Sequence, residues 1–173
     1  MTKDAAPAKH YRILCVCTGN ICRSPTAEAV LRQKFSTAGL TDQVTIDSAG
    51  THGYHIGDAP DPRSQAAGQA RGYDFRGQQA RKLTAGDYDH FDLILAMDAG
   101  HLSMMEAAKP ANSRARLAMM RAFGPPHTCG SDQAADVPDP YYGGTQGFDH
   151  VLDLIEQAAD GLVCDVASQL KNH

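Results

Sequence analysis

The stretch LCVCTGNICRSPTAEAV, Leu14–Val30, runs from an apolar segment into a helical pattern through a turn rich in sulfur. Upstream, YRILCV (Tyr11–Val16) is short, apolar and partly β-branched or aromatic, which predicts a buried strand. Downstream, Val30, Leu31, Phe35 and Leu40 recur near helical spacing, with Ser24 predicted as the helix cap, Pro25 as its first residue and Gly39 as its stop. A strand that passes through a glycine-containing turn straight into a helix is the opening unit of an α/β fold.

The rest of the chain repeats that alternation. QVTIDSAG (43–50) reads as a second strand, followed by a Gly, His and Pro-rich loop from Thr51 to Pro62 and a helix from about Arg63 to Ala70. FDLILAM (91–97) is a continuous apolar run, as a strand covered on both faces requires. HLSMMEAA (101–108) reads as helix and ARLAMMRAF (115–123) as a fourth strand with ragged ends. After a loop with four prolines, Pro125 to Pro140, residues 145–170 form a long amphipathic helix, apolar at Phe148, Val151, Leu152, Ile155, Ala159, Leu162 and Val166. The predicted fold is a doubly wound, four-stranded parallel sheet with helices on both faces.

With 173 residues the chain has the size of one domain, predicted over residues 10–173 behind a flexible leader of residues 1–9. A composition 42% hydrophobic and 21% charged is that of an ordinary globular protein, and a net charge of -4 disfavours a nucleic-acid binder built on a broad basic face. No apolar run approaches the length of a membrane span, and the first residues lack the apolar centre of a secretory signal. Five cysteines are an odd number, unlike a secreted disulfide scaffold, so a reducing cytoplasm is the expected compartment, with export lacking a signal peptide left open.

The chemistry concentrates at the turn. Backbone N–H groups converge where a strand-to-helix turn opens a helix, and the helix dipole favours negative charge there. The same field favours the thiolate form of a cysteine at the first position, which Cys17 occupies. Arg23 closes the turn as C-x5-R, and its guanidinium fork matches two oxygens of a phosphoryl group. A bare C-x5-R arises by chance in roughly one such chain in four, so the context of strand, Gly19, Asn20 and Ser24-Pro25 carries the reading. A sulfur nucleophile needs a proton donor for the leaving oxygen; VPDPYYGG (137–144) offers Asp139 between two stiffening prolines.

With Cys17, Arg23 and Asp139 in hand, the chain resembles the low-molecular-weight protein tyrosine phosphatases of bacterial type. VCTGNICRSPTAE matches that family's phosphate-loop signature and DPYY its general-acid loop, while SAGT (48–51), DPR (61–63) and MD (97–98) fall in the family's order. The resemblance implies a phosphotyrosine phosphatase in which Cys17 forms a phosphocysteine intermediate and Asp139 is general acid, then base. Thr18, Gly19, Asn20, Ile21, Cys22 and Arg23 would form the phosphate cradle, with Ser24 bonding the sulfur and Asn20 and Ser48 bracing the loop. Tyr54 and Tyr141 match the family's two substrate walls, with Tyr142 at the rim. No metal or other cofactor is implied, because arginine and amides supply the positive potential; inorganic phosphate is the product. Related protein-arginine phosphatases carry threonine where Ile21 stands, so isoleucine favours phosphotyrosine. Cys22 matches the partner of a reversible disulfide with Cys17, against the alternative of a small packed thiol. The implied partners are phosphotyrosine proteins, such as a tyrosine kinase of polysaccharide export or host proteins. Two departures stand out: Cys15 replaces a plain apolar residue, and His101 stands where an asparagine commonly follows MD.

Three other readings compete. An arsenate reductase of this fold needs further cysteines about seventy residues downstream, and none lies between Cys22 and Cys129. A thiol metal carrier using C-x-C-x4-C with His52 and His55 lacks a C-x2-C pair, and Cys15 and Cys17 are expected to diverge along the strand. The eight histidines are scattered, and most are expected at the surface. A catalytically dead phosphoprotein binder has no need of both nucleophile and acid.

Overall fold

The computed structural model describes residues 8–125 and 135–172. The four strands are β1 (Tyr11–Cys17), β2 (Val44–Gly50), β3 (Leu93–Ala96) and β4 (Arg116–Met119). They lie side by side in the order β2-β1-β3-β4, and every pairing is parallel. Five helices connect and cover them: α1 (Arg23–Thr37), α2 (Pro62–Ala70), α3 (Asp87–His90), α4 (Ala99–Ala108) and α5 (Thr145–Lys171). The expected four-stranded α/β architecture is therefore the observed one.

Period-two alternation sorts the core into two layers. Ile13, Cys15 and Cys17 of β1, with Leu93 and Leu95 of β3, join Val30, Leu31 and Phe35 of α1 and Leu152, Ile155 and Leu162 of α5 in one buried cluster. Leu14, Val16, Ile94 and Ala96 face the other way, onto Tyr88 of α3 and Met105 of α4. Cys15 and Cys17 thus share a face. The expectation that they diverge is overturned, because residues two apart on a strand point the same way. Cys15 is fully buried and its thiol is pushed well up by desolvation, as a packed strand thiol should be.

The chain leaves β1 at Cys17, crosses through α1 to β2 on one side, and later returns to β3 on the other side of β1. The carboxyl end of β1 is therefore the point where strand order reverses, the place where open α/β sheets hold ligands.

Several local expectations are corrected. Helix α1 begins at Arg23 with Cys22 as its cap residue, so Ser24 is its second residue and makes no cap; its hydroxyl turns toward Cys17. Pro25 is the third helical residue, harmless there because the first-turn N–H groups have no intrahelical acceptor. Gly39 does stop the helix: at φ 74° it lets Leu40 N–H reach Phe35 O and its own N–H reach Ser36 O. β3 is shorter than the apolar run around it. The fourth strand ends at Met119, and Met120–Phe123 turn into a 3-10 helix that drops Met120 into the α1/α5 layer. Of the predicted leader, residues 1–7 lie outside the described residues, as do Cys129 and part of the proline-rich loop. No described helix is long and apolar enough to cross a membrane.

Candidate active site

Between β1 and α1, residues 18–22 make one tight loop at the reversal point. Asn20 turns it through a left-handed backbone at φ 58°, a conformation asparagine tolerates better than most residues. Its side chain anchors the turn three ways: Nδ2 donates to Ser24 Oγ (2.8 Å) and Ser48 Oγ (3.0 Å), and Oδ1 accepts from Arg81 N (3.0 Å). Ser48 Oγ donates in turn to Glu28, which also pairs with Arg32. Burial raises the Glu28 carboxyl above its ordinary range, against the lowering from Ser48 and Arg32. The loop's carbonyls are tied from outside by Thr51 N to Cys17 O, His52 N to Thr18 O and Asp61 N to Ile21 O. Gly50 has no room for a side chain, since a Cβ would sit 2.7 Å from Thr18 O.

The loop forms the floor of a pocket of about 240 Å³. Cys17, Thr18, Gly19, Ile21, Cys22 and Arg23 line that floor. Tyr54, His55, Asp139, Tyr141 and Tyr142 make the walls and rim. Asn20, Ser24 and Ser48 lie behind the loop rather than in the pocket, the first two meeting at Ser24 Oγ. Cys17 Sγ is 3.0 Å from that hydroxyl, which accepts from Asn20 and so has its own proton to offer the sulfur or Ala49 O, 3.4 Å away.

Arg23 is buried, and its Nη1 donates to Asp98 Oδ2 at 2.8 Å and to Val137 O at 3.1 Å. The guanidinium turns toward the pocket, with Nη2 3.7 Å from Asp139 Oδ2. Asp98 caps α4 by accepting from His101 N at 2.9 Å. Burial pulls its carboxyl upward, but the bonds from His101 N–H and Arg23, with the nearby positive charge, leave it below the ordinary carboxylate range. His101 is buried, against the surface placement expected of most histidines; desolvation holds its imidazole down at about 4, opposed by Asp98. Its Nε2 meets Thr18 Oγ1 at 2.8 Å.

Asp139 sits at the half-exposed lip, where Oδ1 accepts from Tyr141 N at 3.0 Å. Arg63 steadies that loop, donating from Nη1 to Tyr141 O at 3.1 Å while its guanidinium lies over the Tyr141 and Phe148 rings. Arg63 is itself held by Asp61, which caps α2. Tyr141 and Tyr142 meet edge to face, and Tyr142 and Tyr54, both lining the pocket, project into solvent. His55 lies across Gly19, where a Cβ would meet its ring at 2.9 Å. Cys22 is buried in the floor, its thiol pushed up to about 12 by desolvation and by the Asp61 charge.

Every residue singled out in the turn and in DPYY thus comes to one pocket or its immediate support. Arg63, Asp98 and His101 occur in stretches noted in the sequence, but their contacts were not foreseen. Glu28 and Arg81 were missed, and His55, named only as a ligand of the rival metal carrier, stands instead at the wall of this pocket. Glu28 reads as a solvated helix residue paired with Arg32 four positions on, and only the fold turns it inward.

The low molecular weight phosphotyrosine protein phosphatase family model matches residues 12–172. A low molecular weight protein-tyrosine-phosphatase of Streptomyces coelicolor is 43% identical over 162 residues, 93% of this chain and 96% of that protein. The crystal structure of a protein tyrosine phosphatase from Entamoeba histolytica superposes with a TM-score of 0.84 at 35% identity, covering 92% of this chain and 98% of the other. A Drosophila arginine phosphatase superposes with a TM-score of 0.79 at 27% identity, over 89% of this chain and 96% of its own.

Proposed function

The chain belongs to the low molecular weight phosphotyrosine protein phosphatase family, and from that premise we propose that it hydrolyses phosphotyrosine in proteins through a phosphocysteine intermediate. The observation that carries this reading is the meeting of Cys17, Arg23 and Asp139 at one pocket, with Arg23 Nη2 3.7 Å from Asp139 Oδ2.

Cys17 attacks as thiolate, stabilised by the Ser24 hydroxyl and by the loop and helix start. Its S–P bond forms as the P–O bond to the phenol breaks, and Asp139 gives its proton to the departing oxygen. Water then attacks the phosphorus, passing a proton to the Asp139 carboxylate. The S–P bond breaks, returning the thiolate and releasing inorganic phosphate. Arg23 and the cradle amides hold the equatorial oxygens through both transition states. Asp98 keeps the guanidinium aimed, and Ser48 and Asn20 keep the loop in its strained turn. The ring of the substrate lies between Tyr54 and Tyr141. Phosphotyrosine proteins met in the cytoplasm, a cognate tyrosine kinase or host proteins among them, are the partners this chemistry fits.

Cys17→Ser should abolish hydrolysis of p-nitrophenyl phosphate while phosphate binding persists. Asp139→Ala should slow turnover most for poor leaving groups; equal loss across leaving groups of different basicity would remove Asp139 from its role. The likeness to an arginine phosphatase favours a second reading, phosphoarginine. Ile21 in the pocket floor argues for the aromatic ester, and competing a phosphotyrosine peptide against a phosphoarginine peptide decides between them.

A further inference from the structure

We propose that His101 is a positioning residue that acts on the phosphate loop through the side chain of Thr18, an assignment that rests on the phosphatase reading above. The first turn of α4 reaches the loop at both ends. Asp98 holds Arg23, the last residue of the C-x5-R turn, through Oδ2, and His101 holds Thr18, the residue after the nucleophile, through Nε2 at 2.8 Å. The two holders are themselves joined, since Asp98 Oδ1 accepts from His101 N.

Electrostatics fix the direction of the Thr18 bond. The His101 ring is buried and neutral, so one nitrogen carries a proton and the other accepts. Nδ1 lies 3.2 Å from Asp98 Oδ1, off the line of a hydrogen bond and with no other partner among the described residues. An unprotonated Nδ1 would set its partial negative charge 3.2 Å from that carboxylate oxygen and be repelled, whereas an N–H dipole there is attracted even off the hydrogen-bond line, so the proton resides on Nδ1. Nε2 is then the acceptor, and the Thr18 hydroxyl donates to it. The other charges that act on the ring are Arg23, which disfavours a proton on it, and Asp139 and Asp136, which favour one.

Committing the Thr18 hydroxyl to His101 locks its χ1 torsion and ties the Thr18 peptide to a rigid helix start. The first amides of the cradle are then held against α4 instead of against the ligand. A valine at 18 would fill the same space without the bond, and an alanine at 101 would remove the acceptor.

The test is a double-mutant cycle on the full chain, reading kcat/KM for p-nitrophenyl phosphate and competitive inhibition by inorganic phosphate. T18V and H101A are each expected to lower kcat/KM and weaken phosphate inhibition about threefold to tenfold, the weight of one buried hydrogen bond. The double variant should lose no more than the worse single. Losses that multiply, or singles that match the wild type, overturn the proposal. Should H101A fail to fold, the T18V protein carries the test: its His101 Nε2 resonance, unprotonated in the wild type, must shift, and an unchanged resonance overturns it. Cys17→Ser is run alongside. Retained activity there sinks the phosphatase reading itself, whereas an inactive Cys17→Ser with a multiplicative cycle sinks only the role of His101.

Discussion

Cys17 and Cys22 share one loop yet stand in different surroundings. Cys17 faces a hydroxyl 3.0 Å away and opens on the pocket, whereas the Cys22 thiol is held at about 12 by burial and by Asp61. If peroxide oxidises Cys17 to a sulfenic acid, closing a Cys17–Cys22 disulfide with loss of water requires the Cys22 thiolate, which is scarce at neutrality. The trapping lifetime of the sulfenic acid should therefore shorten about tenfold per unit of pH between 7 and 9. A lifetime independent of pH, followed by dimedone labelling and mass spectrometry, would dismiss Cys22 as the resolving thiol. His101 makes a second pH-dependent claim. Its imidazole falls from an ordinary 6.5 to about 4 on folding, so between those values the unfolded chain binds a proton that the native protein refuses. Unfolding is thus favoured as pH falls through that window, by about 3 kcal/mol at most, and the term is fully present as stability above it. Urea melts from pH 7 to 4.5 should show a steeper loss for the wild type than for H101N, with other groups cancelling in the difference. Equal slopes would mean that the ring is solvated in the native state.

Among the elements, α5 carries the plainest conflict between local preference and packing. Gly161 sits inside this 27-residue helix, where alanine would ordinarily gain about 1 kcal/mol. A Cβ there would lie 2.0 Å from Phe123 O, backbone of the 3-10 helix that cannot swing aside like a side chain. Gly161→Ala is therefore expected to destabilise by about 1–3 kcal/mol, the cost of overpacking, as read from the urea midpoint. A raised midpoint would place the 3-10 helix further from α5. This contact also explains why the fourth strand was overread. ARLAMMRAF has strand composition throughout, but the chain must turn at Met120 to meet α5, and nothing local records that turn. The same holds for α3, whose four residues are too few for a period to show. By contrast β1, β2, α1 and α5 were legible because each runs seven residues or more, β1 as an unbroken apolar run and α5 with a clear helical period. Ser24 was misread for a different reason: serine before proline has cap chemistry, and the demand of the Cys17 sulfur for a hydroxyl overrode it.

Across the assembled chain, the site divides by how far apart its partners lie. Cys17 and Arg23 were legible because one turn contains both, and Asp139 because its loop has a recognisable form. The Arg23–Asp98 and Thr18–His101 pairs, separated by 75 and 83 residues, exist only once β1 and β3 lie side by side. That arrangement couples the pocket to global stability, since a ligand bound to the cradle is bound only while the sheet is intact. Inorganic phosphate should stabilise the protein by RT ln(1 + [L]/Kd), about 2.7 kcal/mol at a hundred times its dissociation constant. For a chain of this length that corresponds to a rise in Tm of about 5–10 °C, growing with the logarithm of phosphate concentration. Cys17→Ser should keep most of the rise, because the guanidinium and amides remain. Arg23→Ala should start from a lower Tm, having stripped Asp98 of its buried partner, and should gain nothing from phosphate. A phosphate-dependent rise that survives Arg23→Ala would put the anion somewhere other than the loop between β1 and α1, and with it the chemistry assigned to that loop.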